Sequence, residues 1–260
     1  MPSFFQIKTF VRHWLNEVDD HSLHSPFFFD FYKNVIHNES GADQFKPIED
    51  LRLKLLEDKT SITIEDWGST PSQNNGAQRT IGEVASTSLS PQKFAALYNR
   101  ILQYQNAKIV VELGTSMGLT SLYLGKYSGS RVYTFEGSKT LANIALTHFE
   151  FFETNNIHLV VGKIDNTLPE FLQKPGNISF VLMDANHRYE PTIRYFNWLV
   201  KRLDEKSIVV IDDIYRSSEM EKAWLELRRH DLVYGSIDLY RCGILFFDTR
   251  INKQHFTLSF

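Results

Sequence analysis

The stretch from Lys108 to Gly125, Lys-Ile-Val-Val-Glu-Leu-Gly-Thr-Ser-Met-Gly-Leu-Thr-Ser-Leu-Tyr-Leu-Gly, restricts this chain more than any other. Ile109 to Leu113 is a short apolar run rich in β-branched residues, the pattern of a strand buried on both faces. Gly114 and Gly118 bracket a turn, and Leu119 to Leu124 reads as the first turns of a helix. A strand that enters a helix through a glycine turn presents free backbone N–H groups and a positive dipole end to a ligand. Glu112 stands near the end of that buried strand. An unpaired charge there is costly, so it requires a partner.

From Lys108 onward, strand and helix patterns alternate, which predicts a parallel sheet covered by helices. Expected strands are Ile109–Leu113, Val132–Glu136, His158–Val161, Ser179–Asp184 and Ile208–Asp212. Val233–Leu239 and Gly243–Phe247 lie too close together for a crossover helix, so they should pair antiparallel. Phe256 to Phe260 reads as an edge strand or a packed tail. The residues before Lys108 are mainly helical in pattern. Phe4 to Val18 has apolar residues at helical spacing, and Ser25-Pro26 starts a helix through about Ile36. Phe27-Phe28-Phe29 reads as core or subunit contact. A third helix covers Ile48 to Glu57, Asp66 to Gly82 reads as a polar loop, and Ser90-Pro91 opens a helix that leads into the first strand. The division expected is a helical extension over 1–88 and one α/β domain over 89–260.

The chain has 260 residues and 42% hydrophobic content, enough for one such domain with an extension. A formal net charge of −3 supplies no pull toward nucleic acid or anionic membrane. The single Cys242 excludes an intramolecular disulfide, and cytoplasm is the expected compartment. No apolar run approaches a membrane span, and the N-terminus does not read as a signal peptide. His21 and His24 lack the second pair of residues that a zinc site needs.

In open α/β sheets the ligand sits at the carboxyl ends of the strands. Acids recur there: Glu112, Glu136, Asp165 just past the third strand, Asp184 and the pair Asp212-Asp213. A polar, cationic ligand would explain that concentration. The dinucleotide pattern G-x-G-x-x-G is not met, because Ser116 takes the second glycine position and Leu119 follows Gly118. Glu136 suits two ribose hydroxyls, a role also found in NAD enzymes, and Asp165 suits either a ligand or a helix N-terminus.

Glu112-x-Gly114-x-Ser116-x-Gly118 instead resembles motif I of the class I S-adenosylmethionine-dependent methyltransferases. Val181-Leu-Met-Asp-Ala-Asn-His-Arg-Tyr-Glu190 is similar to the Asp-x-x-Lys segment of the catechol and caffeoyl-coenzyme-A O-methyltransferases. It also resembles the Asp-Gly-x-His-x-Tyr segment of related small-molecule enzymes. The resemblance covers roughly 90–248. It implies a Rossmann-like seven-stranded sheet, mostly parallel with a C-terminal antiparallel hairpin, behind an N-terminal helical extension. It assigns cofactor contacts to Glu112, Gly114, Thr115, Ser116, Gly118, Thr120, Glu136, Gly137, Asp165 and Asp184. It further implies Mg²⁺ held by Asp184, Asp212 and Asp213, although Asp213 stands where those enzymes have Asn. His187 replaces their Lys and becomes the general base, beside Asp184.

The expectation is therefore an S-adenosylmethionine-dependent methyltransferase acting on a small molecule, most readily at oxygen, with Mg²⁺ assistance. A homodimer through the N-terminal helices and no nucleic-acid or membrane partner complete it. The alternatives are an NAD-dependent oxidoreductase, which Ser116 and Leu119 disfavour, and a non-catalytic cofactor-binding or scaffold protein. A nucleic-acid methyltransferase would need an Asn/Asp-Pro-Pro-aromatic segment where Asp-Ala-Asn-His stands, and a basic face.

Overall fold

The computed structural model describes residues 3–38, 41–65 and 77–260. In chain order the elements are α1 (Phe4–Asn16), α2 (Pro26–Phe31), α3 (Lys46–Glu57), β1 (Ser61–Ile64), β2 (Ala77–Thr80), α4 (Ile81–Ser88), α5 (Gln92–Gln105), β3 (Ile109–Leu113), α6 (Leu119–Gly125), β4 (Arg131–Glu136), α7 (Lys139–Phe151), β5 (Ile157–Val161), α8 (Ile164–Phe171), β6 (Phe180–Met183), α9 (Tyr189–Leu199), β7 (Ile208–Ile211), α10 (Ser218–Leu227), β8 (Gly235–Asp238), β9 (Gly243–Phe246) and β10 (Gln254–Thr257). They cluster into two compact units, 39–174 and 1–38 with 175–260.

In the unit 39–174, β3 pairs with β4 and β4 with β5, all parallel, with Glu112 opposite Thr134 and Leu113 opposite Phe135. Crossover helices bury Leu122, Tyr123, Ala145 and Phe149 against Ile48 of α3 and Val84 of α4. The Tyr123 hydroxyl donates to Glu49 Oε1 at 2.6 Å, tying α3 to α6. The expected loop over 66–82 is corrected at its end. Residues 77–80 are strand β2, antiparallel to β1, and α4 begins directly after it. Thr80 and Glu83 form a capping box there, a Thr-x-x-Glu signature that fixes the helix start. The rest of that loop, 66–76, lies outside the described residues.

In the second unit the strand order is β10-β8-β9-β7-β6. β6 and β7 are parallel, and β9 runs antiparallel to both β7 and β8, which is the expected C-terminal hairpin. β10 pairs parallel with β8. Its pairing makes the strand segment near the C-terminus an edge strand beyond the hairpin. Phe28 and Phe31 are fully buried with their rings edge-on to Phe246 at 5.5 and 5.0 Å. A side chain at Gly235 would enter the Phe28 ring, so only glycine permits that approach. The helix begun at Pro26 changes to a π turn over Tyr32–Ile36 instead of continuing as α-helix.

α1 is amphipathic, but its buried face is the polar one. Thr9 and His13 are buried, whereas Phe4 is 83%, Trp14 61% and Leu15 69% exposed. Hydrogen bonds attach this helix: Tyr240 Oη donates to the Gln6 carbonyl at 2.8 Å, and His13 Nε2 lies 3.2 Å from Asp238 Oδ1. Among the described residues, no helix is long and apolar enough to cross a membrane. Cys242 is a buried free thiol.

Candidate functional site

The glycine turn of the unit 39–174 is built by left-handed backbone. Gly114 has φ 102°, Ser116 49° and Gly118 84°. At Gly118 an added Cβ would lie 2.7 Å from the Phe149 ring, so no other residue fits. The turn is pinned from several sides. Gly114 and Thr115 N–H donate to the Phe135 carbonyl at 3.0 and 3.1 Å, and His148 Nδ1 lies 2.8 Å from the Met117 carbonyl. Ser88 and Ser116 hydroxyls are 2.9 Å apart. Thr115 and Thr120, expected ligand contacts, are buried side chains.

Glu136 ends β4 beside this turn because the parallel register sets Leu113 against Phe135. Its Oε2 accepts the Ser116 N–H and its Oε1 the Ser138 N–H, each at 2.8 Å. Burial raises its pKa, against the opposing backbone donors of Ser138, Ser116 and Gly137. Backbone donors thus fix the carboxylate's orientation beside the turn and leave part of its accepting capacity for ligand hydroxyls. That geometry fits the ribose of an adenosyl cofactor. Asp165 lies exposed in the first turn of α8.

Glu112 has no exposed surface. Its partners are hydroxyls: Ser121 donates to Oε2, and Thr134 donates to the same oxygen at 2.6 Å. Thr115 and Thr134 hydroxyl oxygens are 2.5 Å apart, which extends the chain up to the turn. Glu112 Oε1 has no hydrogen-bond partner in the buried interior. Burial, aided by the charge of Glu136, pushes this carboxyl up to about 7 against the two hydroxyl donors. Glu112 thus supports the turn from inside through these hydroxyls.

A raised folded-state pKa has a defined consequence for stability. Below the ordinary value of 4.5 the carboxyl is protonated in both states. As pH rises from there to about 7, only the unfolded chain loses the proton, so stability falls, and it levels off once the folded state ionises as well. The displacement corresponds to about 3 kcal/mol. Glu112→Gln should therefore show a flatter stability profile than the parent chain in denaturant titrations between pH 5 and pH 8. Parallel profiles would show that Glu112 is not protonated in the fold.

The second unit carries the other candidates. Asp184 follows β6, Asp212 and Asp213 follow β7, and Arg241 sits in the β8–β9 turn. Asn186, His187, Asp213 and Tyr240 all have positive φ, at 62°, 39°, 54° and 63°. Such backbone is held only where its surroundings demand it, and it gathers at functional sites. His187 Nε2 lies 3.5 Å from Asp184 Oδ1, and the imidazole is 19% exposed. Burial lowers the His187 pKa to about 4. Asp213 opposes that shift, while Arg216 and Arg241 add to it. The ring is neutral at pH 7 and able to take a proton.

The expected Mg²⁺ ligands Asp184, Asp212 and Asp213 each lie against another side chain. Among the described residues, no group of three or more His, Cys, Asp or Glu is placed to hold a metal. Asp212, with a fully buried side chain, accepts from Arg241 Nη2 at 2.9 Å. Asp213 faces Arg216 Nη1 at 3.0 Å and Arg241 Nη1 at 3.6 Å. Two guanidinium groups neutralise Asp212 and Asp213, two of the three acids expected to converge on a cation.

Arg241 escaped the sequence reading. The hairpin itself was the available signal. β9 pairs antiparallel with β7, Gly243 opposite Ile211, so the β8–β9 turn must lie beside Asp212-Asp213. Ser121 and Thr134 were also missed, although the β3–β4 register places Thr134 directly across from Glu112.

Residues 111–214 match a family model described as a methyltransferase domain. That span runs from β3 to just past β7 and includes the glycine turn, Glu136, Asp184 and the pair Asp212-Asp213. No curated protein matches the chain in sequence. Among solved structures, it resembles a putative caffeoyl-CoA O-methyltransferase from Staphylococcus aureus at 13% identity and TM-score 0.59, over 85% of this chain and 97% of that one. An O-methyltransferase from Bacillus cereus in complex with SAH aligns at 15% identity and TM-score 0.56, over 84% and 96%. The O-methyltransferase TomG from Streptomyces achromogenes, in complex with SAM, aligns at 18% identity and TM-score 0.54, over 62% and 82%. At these identities the likeness establishes the fold. The fold is Rossmann-like, mostly parallel with an antiparallel hairpin.

Proposed function

We propose that this chain is an S-adenosylmethionine-dependent methyltransferase that transfers a methyl group to an oxygen of a small molecule. The observation that carries the reading is the left-handed Gly114–Gly118 turn fastened by its Ser116 N–H to the Glu136 carboxylate. The SAM and SAH complexes among the structural neighbours support it.

When bound, the cofactor supplies an electrophilic methyl group on a sulfonium. Glu136 would accept the two ribose hydroxyls, and the turn through Gly118 and the backbone at Gly137 would hold the methionine and ribose portions. Asp165 would accept from the adenine amino group, and Asp184, at the carboxyl end of β6, would contact the cofactor. His187 takes the acceptor's hydroxyl proton as the oxygen bonds the methyl carbon. Positioning and deprotonation are the protein's main contributions to such a displacement.

The segment 1–88 serves as the extension that shapes acceptor access. The exposed apolar face of α1 pairs with a second copy of the chain, since apolar patches of this kind mark association surfaces. The formal charge of −3 fits a small-molecule acceptor better than nucleic acid, and the setting is the cytoplasm.

Calorimetry with S-adenosylhomocysteine and NAD tests the cofactor class. The expected result is binding of the thioether and none of NAD, with Glu136→Ala weakening the former roughly tenfold to a hundredfold, the effect of losing charge-assisted bonds worth about 1.5–3 kcal/mol. NAD binding with no response to the thioether would overturn the reading in favour of an oxidoreductase.

A further inference from the structure

We infer that the Arg241 guanidinium occupies the place that a divalent cation would otherwise fill, and that methyl transfer by this chain proceeds without a metal. The inference rests on the methyltransferase reading for the reaction, while the ionic arrangement stands independently of it.

Asp212 is wholly buried, and its neighbour Asp213 is 22% exposed. Two adjacent carboxylates in that setting need positive charge close by. Arg241 provides it to both, one terminal nitrogen to each acid, and Arg216 provides a second charge to the outer oxygen of Asp213. Two acids thus face two permanent cations. A guanidinium remains charged at any working pH and its fork matches paired carboxylates. Mg²⁺ demands near-octahedral oxygen ligation, and here it would have to displace two guanidinium groups from the same oxygens.

Arg241 is held in place by its own backbone. Its N–H donates to the Leu239 carbonyl at 2.7 Å, and its carbonyl accepts the Ile214 N–H at 3.1 Å. The preceding Tyr240, at positive φ, donates its N–H to Asp238 Oδ1 at 2.9 Å and its hydroxyl to the Gln6 carbonyl. Tyr240 also stacks on Tyr215 with ring centroids 5.3 Å apart. The turn is therefore braced on the side of β7 and on the side of α1, as a permanent fixture should be.

Mn²⁺ titration followed by electron paramagnetic resonance tests this on the intact chain. The parent protein should leave Mn²⁺ free up to about 1 mM. Arg241→Met should acquire a Mn²⁺ site, and adding Asp212→Asn to it should remove that site. A parent protein that binds one Mn²⁺, lost in Asp212→Asn, would overturn the inference, and so would a folded Arg241→Met that gains no Mn²⁺ binding. Should Arg241→Met fail to fold, the parent titration decides alone. Binding of S-adenosylhomocysteine, measured on the same samples, reports separately on the methyltransferase reading.

Discussion

Asp238→Ala is expected to destabilise the chain by about 3–5 kcal/mol, the usual cost of leaving buried partners of a charge without it. Asp238 is 1% exposed and ends β8. Its Oδ2 accepts the Tyr215 hydroxyl at 2.7 Å and the Trp224 indole N–H at 3.0 Å. Its Oδ1 faces His13 Nε2 at 3.2 Å and accepts the Tyr240 N–H. Burial by itself would lower the His13 pKa, yet the Asp238 carboxylate lifts it above its ordinary value. Asp238 is in turn held below the usual carboxylate range despite its burial. The alanine variant strands donors from two helices, a loop and a turn at once. Asp238→Asn keeps an accepting oxygen and should lose about 1–3 kcal/mol. Chemical denaturation measures both, and hydrogen exchange should show α1 opening first, because its docking face is polar. An alanine variant within about 1 kcal/mol of the parent chain would mean that the network adds no net stability.

His187→Ala should slow methyl transfer by roughly 10²–10⁴, the contribution of a positioned general base, while S-adenosylhomocysteine affinity stays at the parent level. The pH profile carries a second expectation. A base works when unprotonated, and burial sets the His187 pKa at about 4. Its limb of the rate profile should therefore remain flat as pH falls through 6.5, where an ordinary imidazole would protonate. Single-turnover transfer of labelled methyl to an acceptor found by screening hydroxylated small molecules provides the measurement. Full activity in His187→Ala would remove this residue from the reaction and leave acceptor activation to another group.

Much of the frame was legible because it depends on local pattern. The run Ile109–Leu113 is a strand at the expected bounds, and the other parallel strands agree within one or two residues. β-branched runs separated by helical spacing admit few other arrangements. The hairpin of β8 and β9 followed from the shortness of its connection. The β1–β2 pair was missed because each strand has only four residues and the pairing partner is distant in sequence. The orientation of α1 was missed for a different reason. Periodicity shows that a helix has two faces, but which one is buried depends on what it meets.

The same division separates the halves of the candidate site. By itself the sequence determined a glycine turn after a buried strand, an acid at the next strand end and a run of acids beyond, since strand ends, glycine positions and parallel order are local properties. Only tertiary structure decided what those acids do. Glu112 turned inward to hydroxyls because the β3–β4 register sets Thr134 across from it. Asp212 and Asp213 took guanidinium partners, because an antiparallel strand returned Arg241 to the end of β7 from about thirty residues downstream. Charge compensation is a matter of distance in space, and distance in space is set by pairing across the fold.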